Sequence, residues 1–372
     1  MKFKFYIKES KLYDFLKFPR LLYYKEEFKK EFEDTGLDHN YKEIVMEDYL
    51  NLVKKAEDSL RFFSKEIEIF YMKQYLSDYD FIDLISRVIG IIGYEDEGDY
   101  LDMLLTLDEK KIKSSIIYSI LVVNDDYPFY SEEIMRKAEI ISSNNDDVIS
   151  FIKDLPIEGG SKWNLFLIIE DPIKYMKMYV ELMTRLLPIF EKIYEPYYEK
   201  IKNYGQSLVE FLNKSGSKGL KEITYSIVDP NILEDEEIHR ILISVIFSYA
   251  ISIAASDKDK YIAWGLSMEE AFKKMQEINE NKIIERVQIF KNLSDRTRYE
   301  VLKLIASGET STKEIANALG VSSATISYHI NNFLTSKVLK LDKSNNKFGY
   351  VVDYNLLKET IEGFKKDLNF PN

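Results

Sequence analysis

Near the C-terminus, apolar residues recur at helical spacing in three short runs, and each run opens on a polar residue that can cap a helix. Ser311 and Glu314 stand in the Ser-x-x-Glu relation of a capping box, which predicts a helix starting at Thr312. Gly320 fits a left-handed C-terminal cap, and Ser322 can cap the next helix. The pattern predicts three helices, the last two joined by a tight turn.

The third of these helices has two distinct faces. The spacing assigns a buried face to Ile326, Ile330, Phe333 and Leu334. It leaves Ser323 near the start and the following residues on the outside: Ala324, Thr325, Tyr328, Asn331 and Asn332. A helix, a glycine turn and a second helix with a small, polar outer face are typical of a helix-turn-helix that lays a recognition helix in the DNA major groove.

Two strand-like runs follow this helix. Residues 338–341 and 348–352 flank a turn-rich hexapeptide and predict a β-hairpin, or wing. Lys343 and Lys347 in the hexapeptide fit phosphate contacts, although ordinary solubility lysines are the alternative.

Four motifs in this order resemble the winged helix of ArsR-type bacterial transcription regulators, and together they cover roughly a fifth of the chain. They are Leu293-Ser294-Asp295-Arg296-Thr297-Arg298, Glu314-Ile315-Ala316, residues 321–330, and Lys337-Val338-Leu339. The resemblance implies a homodimer that binds double-stranded operator DNA and represses until a signal lowers its affinity.

The resemblance adds two residues to the DNA-binding candidates. His329 stands at the family's own His position, where it either contacts DNA or packs beside the buried face. Arg298 matches the family's Arg after Asp-x-Thr, with phosphate contact and an ion pair to Glu300 or another carboxylate as alternatives. The candidate DNA-binding residues are Ser322, Ser323, Thr325, Tyr328, His329, Asn332, Lys343, Lys347 and Arg298.

Metal sensing, which many members of that family perform, is not expected here. Ser311 and Lys313 occupy the positions of the cysteine pair that some members carry, and neither binds a thiophilic metal. The chain has no cysteine and three histidines, and none of the histidines follows residue 354. No phosphate-binding loop or nucleophile elbow occurs either, so we expect neither a cofactor nor an enzyme.

The residues before the winged helix predict a mainly helical domain with a small β component. Period-two alternation indicates a strand at Phe3–Ile7, and β-branched residues enrich Glu222–Val228, Ile241–Ile253 and Tyr261–Trp264. These segments predict a small, mostly antiparallel sheet that includes the first strand. The fold class is therefore mainly α with a small antiparallel sheet in a helical N-terminal domain, followed by a C-terminal winged helix-turn-helix.

The predicted domain organisation has three parts. Residues 1–266 form an N-terminal sensor or assembly domain, with a subdivision near 157–161 as an alternative to a simple loop. Residues 267–289 form a connecting helix, and residues 290–372 form the winged helix and a C-terminal helix. The input is either a small organic ligand or a protein partner.

Charge is distributed unevenly along the chain, whose formal net charge is -12. Residues 288–358 hold ten Lys and Arg against six Asp and Glu, so the acidic excess lies in the N-terminal part. Phosphate attracts clustered basic residues, so this distribution favours DNA contact through the winged helix alone. Without a signal peptide or a membrane-length apolar run, we expect a cytoplasmic protein with no membrane partner. A protein-interaction module that uses the winged helix as a scaffold is the alternative function.

Overall fold

The computed structural model describes residues 2–23, 47–72, 75, 79–124, 130–225, 238–255, 260–280, 282–344 and 347–370. Within these ranges the chain is mainly helical and carries a four-stranded sheet and a separate two-stranded hairpin. The mainly α class with a C-terminal winged helix is confirmed.

The described residues of the N-terminal part contain eleven α-helices, and three-residue 3-10 turns form two of the junctions between them. They are α1 Ile7–Lys17, α2 Glu47–Leu60, α3 Ser64–Ile67, α4 Phe81–Ile89, α5 Glu97–Leu105, α6 Glu109–Asn124, α7 Glu132–Ser142, α8 Asn145–Asp154, α9 Gly159–Glu170, α10 Pro172–Tyr194 and α11 Tyr198–Ile223.

Local sequence explains where several of these helices begin and how two of them behave inside. Asp171 caps α10 by accepting from the N–H of Lys174, and Pro172 occupies the first turn, where its missing N–H costs nothing. Pro188 lies inside α10, which continues to Tyr194. α11 is interrupted at Gly216, whose backbone is non-helical at φ 56° and ψ -144°, and a second helical segment follows to Ile223.

The four-stranded sheet joins the start of the chain to its middle. Its strands are β1 Lys2–Phe5, β2 Ile238–Ser244, β3 Ile251–Ala255 and β4 Lys260–Gly265, in the spatial order β1-β2-β4-β3. The first strand is part of the sheet, as predicted.

The predicted antiparallel character of this sheet is wrong for two of its three strand pairs. The pairs β1–β2 and β2–β4 are parallel. The pair β3–β4 is antiparallel. Residue composition predicts a strand but not its direction relative to its neighbours. Parallel pairing needs a long connection between the two strands. The helical body separates β1 from β2, and β3 lies in the crossover from β2 to β4. A strand was expected at Glu222–Val228, but its first two residues belong to the last turn of α11. Residues 226–228 lie outside the described residues.

The C-terminal elements follow β4 directly. They are α12 Met268–Glu280, α13 Lys282–Ser294, α14 Arg296–Ala306, α15 Thr312–Leu319, α16 Ser323–Thr335, β5 Leu339–Ser344, β6 Lys347–Val352 and α17 Tyr354–Asp367. Residue 281, between α12 and α13, lies outside the described residues. The wing is confirmed, with β5 and β6 antiparallel.

Buried apolar side chains form two clusters, one for each end of the chain. The N-terminal core extends from Phe3 to Phe272 and includes residues on both sides of the break near 157–161. The winged-helix core begins at Ile289. Leu339 and Leu341 face the same side of β5, because they are two residues apart in a strand. Leu339 is buried in the winged-helix core, whereas Leu341 packs against the N-terminal core, so one strand touches both.

None of the helices in the described ranges combines the length and the hydropathy that crossing a bilayer requires.

Candidate nucleic-acid interface

The turn between α15 and α16 has the geometry that the sequence predicts. The hydroxyl of Ser311 accepts from the N–H of Glu314 at 3.2 Å and caps α15. The helix ends at Gly320, whose backbone is left-handed at φ 67° and ψ 31°. The hydroxyl of Ser322 then accepts from the N–H of Thr325 at 3.1 Å and caps α16. Glycine and two caps therefore set the direction of α16 within three residues.

The reciprocal half of the predicted capping box is wrong. Glu314 was expected to accept from the N–H of Ser311, but the carboxylate of Glu309 accepts that hydrogen bond at 2.9 Å. Glu309, in the turn before α15, occupies the N–H of Ser311 in place of Glu314. The Glu314 side chain is exposed.

The apolar face of α16 packs as expected. Ile326, Ile330 and Phe333 are buried in the winged-helix core, and Leu334 packs against it. This burial leaves the opposite side of the first turn accessible. Ser322 and Ala324 are exposed there, and Ser323 and Thr325 are half-buried.

The hydroxyls of this first turn already interact with one another. Ser322 Oγ and Thr325 Oγ1 lie 2.8 Å apart and share a hydrogen bond. Each hydroxyl retains further capacity, because it has one donor and two acceptor sites. One turn later, Tyr328 is half-buried and its ring lies 5.2 Å from that of His329.

Asn332 does not face outward, which corrects the sequence-based expectation. Its side chain is 1% exposed and donates from Nδ2 to the carbonyl of Tyr328 at 3.0 Å. Its Oδ1 has no hydrogen-bond partner within the described residues. His329 is also buried, so it packs in this structure instead of reaching solvent.

The burial of this flank has a simple cause. A single apolar stripe on α16 implies one packing partner, but α16 contacts α13 as well as α14 and α15. α13 reaches this flank through Asn292, which donates to the carbonyl of Asn332, a residue that helical spacing alone places beside the apolar stripe.

Arg298 is held within the protein. It is buried, its Nη1 donates to Asn292 Oδ1 at 2.8 Å, and its Nε lies 3.8 Å from Asp295 Oδ1. The alternative carboxylate, Glu300, pairs with Lys303 at 2.8 Å. The guanidinium therefore contacts the end of α13, and of the two carboxylates considered only Asp295 lies within ion-pair distance.

Asn292 is the one residue of this arrangement that sequence reasoning missed. Its signal in the sequence is a polar residue between the apolar Ile289 and Leu293, in a segment otherwise interpreted by its apolar spacing. Its Nδ2 donates to the backbone carbonyl of Asn332 at 3.3 Å.

The wing places its two candidate lysines close to its tip. In the β5–β6 ladder Lys343 pairs with Phe348 and Ser344 with Lys347. At the base of the wing, Lys340 and Asp353 form an ion pair at 2.5 Å. Partial burial opposes ionisation of Asp353, but the hydrogen bonds from Lys340 and the N–H of Leu356 keep the pKa of this carboxyl below its usual value. Asp353 can therefore cap α17 as a carboxylate.

A metal site is not evident near this surface. Among the described residues, no group of three or more His, Asp or Glu is placed to hold a metal ion.

Comparisons with known proteins agree with this geometry. Residues 293–341 match the family model described as a helix-turn-helix domain. The chain is 29% identical over 84 residues to the transcriptional repressor SdpR of Bacillus subtilis (strain 168), a match that covers 23% of this chain and 90% of that protein. It is 28% identical over 74 residues to the arsenical resistance operon repressor of Staphylococcus aureus, which covers 20% of this chain and 71% of that protein. No solved structure matches the chain. The C-terminal part is thus confirmed as a helix-turn-helix of the transcription-regulator type, similar to ArsR-type repressors.

Proposed function

We propose that this chain is a DNA-binding transcriptional regulator, and that it acts as a homodimeric repressor whose operator binding responds to an input on the N-terminal part. The observation that carries the proposal is the accessible first turn of α16. The Gly320 turn and the Ser322 cap direct it, while Ile326 anchors its other side. Small hydroxyl side chains at the start of such a helix fit the edges of bases and the phosphates beside them.

The proposal assigns fewer residues to DNA contact than the sequence analysis predicted. Ser322, Ser323 and Thr325, at the start of α16, are the residues that we assign to DNA, since His329, Asn332 and the hydroxyl of Tyr328 are buried. Lys343 and Lys347, close to the tip of the wing, supply phosphate contacts.

The proposed dimer uses an apolar patch on α13 and α17. The α13–α17 patch consists of exposed apolar side chains: Ile283, Val287, Ile361, Phe364 and Leu368. The two helices are joined within one chain by the Phe290–Phe364 ring contact and by an ion pair of 2.6 Å between Arg286 and Asp367. Apolar groups exposed together on adjacent helices are typical of an interaction surface, and a two-fold dimer would pair the patch with itself.

The proposed input acts on the N-terminal part, through a small molecule or a protein partner. A groove of about 540 Å³ lies at the α7–α8 pair. Ile140, Phe151 and Leu155 give it apolar walls, and Asp147 and Asp154 add carboxylates. The groove is open to solvent, and we propose it as the surface that the input contacts.

A salt series of DNA binding tests the proposal. Fluorescence anisotropy of the full chain with a duplex from its own upstream region, and with a scrambled duplex of equal length, should show a preference for the former. Affinity should fall as salt rises, because phosphate contacts release counterions. Ser323→Ala should weaken binding to the upstream duplex by roughly 1 kcal/mol, whereas Ser307→Ala, an exposed serine after α14, should not. The absence of any sequence-preferring, salt-sensitive binding would favour the protein-interaction module instead.

A further inference from the structure

The end of the connecting helix is joined to the end of α16 by a chain of buried hydrogen bonds. Arg298 Nη1 donates to Asn292 Oδ1 at 2.8 Å, and Asn292 Nδ2 donates to the carbonyl of Asn332 at 3.3 Å. Ser336 Oγ donates to the same carbonyl at 2.9 Å. All four side chains are buried, so water does not compete with these contacts. We call this series of hydrogen-bonded residues, Arg298, Asn292, Asn332 and Ser336, the polar relay.

The relay is built around an amide that serves two partners at once. Asn292 offers its oxygen to the buried guanidinium and its nitrogen to the last turn of α16. A buried guanidinium without an acceptor is costly, and the nearest carboxylate oxygen, on Asp295, lies 3.8 Å from Nε. Asn292 is therefore held by Arg298, and its orientation presents Nδ2 to α16.

The position of Asn292 in the chain links the relay to the N-terminal part. Asn292 lies in the last turn of α13, and α13 follows α12, whose Ala271 and Phe272 are buried in the N-terminal core. Three residues before Asn292, Ile289 is buried in the winged-helix core. A rotation of α13 would therefore move Asn292 away from the carbonyl of Asn332.

We propose that Asn292 and Arg298 are positioning residues that set the angle of α16 in the DNA groove, and that through them the connecting helix controls sequence discrimination. This inference rests on the proposed function. A residue that positions a recognition helix should affect binding to the preferred sequence, because base contacts need a defined helix position. A phosphate-contacting residue should weaken binding to all sequences alike and reduce the salt dependence.

Asn292→Asp separates positioning from folding. The aspartate keeps an acceptor for Arg298, and the adjacent guanidinium favours its ionised form. The aspartate cannot donate a hydrogen bond to the backbone carbonyl of Asn332, and its negative charge repels that carbonyl oxygen. We expect a variant that remains folded but releases the end of α16. Asn292→Leu, which removes both contacts at similar size, provides a second variant.

The experiment measures binding of the full chain to the upstream duplex and to the scrambled duplex over a salt series, with thermal unfolding of each variant recorded alongside. Asn292→Asp and Asn292→Leu should weaken binding to the upstream duplex at least 10-fold and change binding to the scrambled duplex less than 2-fold, with unchanged salt dependence. Arg298→Met should behave in the same way, and the Asn292→Leu/Arg298→Met double variant should be no weaker than either single variant. Lys343→Ala is the comparison for a phosphate contact: both duplexes should bind more weakly, with a salt slope lower by about one.

Two results would overturn the relay while leaving the proposed function intact. One is unchanged discrimination in Asn292→Asp. The other is a uniform loss with a reduced salt slope in Arg298→Met, which would make Arg298 a phosphate contact. If the unmodified chain itself fails to discriminate between the duplexes, the proposed function falls and this inference falls with it.

Discussion

The carboxylate of Asp14, in α1, accepts a hydrogen bond of 2.8 Å from the backbone N–H of Val245, which follows β2. The same carboxylate accepts from the hydroxyl of Ser244 and the N–H of Ile246. The side chain is fully buried, and burial raises the pKa of Asp14 to about 7 although these hydrogen bonds act in the opposite direction.

We expect Asp14 to make the stability of the chain depend on pH. Its pKa is raised from an ordinary 3.8, so between pH 4 and pH 7 the folded chain holds a proton that the unfolded chain has lost. The Asp14 contribution to the free energy of unfolding is therefore greatest below pH 4 and declines as pH rises to 7, by roughly 2–4 kcal/mol. Urea unfolding at pH 5, 6.5 and 8 measures this decline.

Asp14→Asn should flatten that pH profile, since the amide does not titrate. Asp146→Asn, at an exposed position of α8, should leave it unchanged. Parallel profiles for the unmodified chain and Asp14→Asn would show that Asp14 is already ionised in the folded chain at pH 5.

Gly320 should tolerate Asn better than Ala. Among the described residues, no atom lies within 4 Å of a Cβ built at this glycine, so we expect the cost of Ala to come from its left-handed backbone. We expect Gly320→Ala to lower the free energy of unfolding by roughly 1–2 kcal/mol, and Gly320→Asn by less, because Asn adopts this conformation more readily. Chemical denaturation measures both. Equal losses in the two variants would mean that contacts, and not the backbone, determine the cost.

Gly265 should tolerate no side chain. A Cβ there would lie 2.3 Å from the carbonyl oxygen of Ser248, which belongs to the backbone and cannot move aside cheaply. Gly265→Ala should lower the free energy of unfolding by roughly 3 kcal/mol or more. Gly159→Ala, in the first turn of α9 with open space around it, should be neutral or slightly stabilising. The difference in Tm between the two variants is the measurement, and a neutral Gly265→Ala would contradict the β4 packing described above.

The α13–α17 patch should determine the oligomeric state. Val287→Asp, at a side chain that is 60% exposed, should abolish the proposed dimer, because pairing the patch with itself would bury two carboxylates. Sedimentation velocity over a concentration series measures this. Ile140→Asp, at an exposed apolar residue of α7, should leave the state unchanged. Dimerisation of Val287→Asp with unaltered affinity would exclude the patch.

The winged helix could be predicted from sequence because its signals are local. Gly320 requires a left-handed turn, and the hydroxyls of Ser311 and Ser322 cap helices within three residues of themselves. The strands of the wing were predicted by the same short-range patterns. Local chemistry of this kind does not depend on the rest of the chain.

The remaining features depend on contacts that cross long stretches of sequence. Nothing near Asn332 indicates that Asn292, forty residues away, donates to its carbonyl. Likewise, β1 and β2 pair in parallel although more than two hundred residues separate them, and alternation in each strand carries no direction. Long-range docking therefore accounts for the buried position of Asn332 and for the strand directions that the sequence did not predict.

The position of Leu341 has a consequence for how such a protein can evolve. A helix-turn-helix that ended cleanly at its own core could be exchanged between proteins by recombination at the linker. Here the exchanged segment would carry Leu341, which packs against the N-terminal core. The N-terminal part would lose that contact. The two parts are therefore expected to have diversified together, and a chimera of this winged helix with a foreign sensor should require a polar residue at position 341 before it behaves as an independent unit.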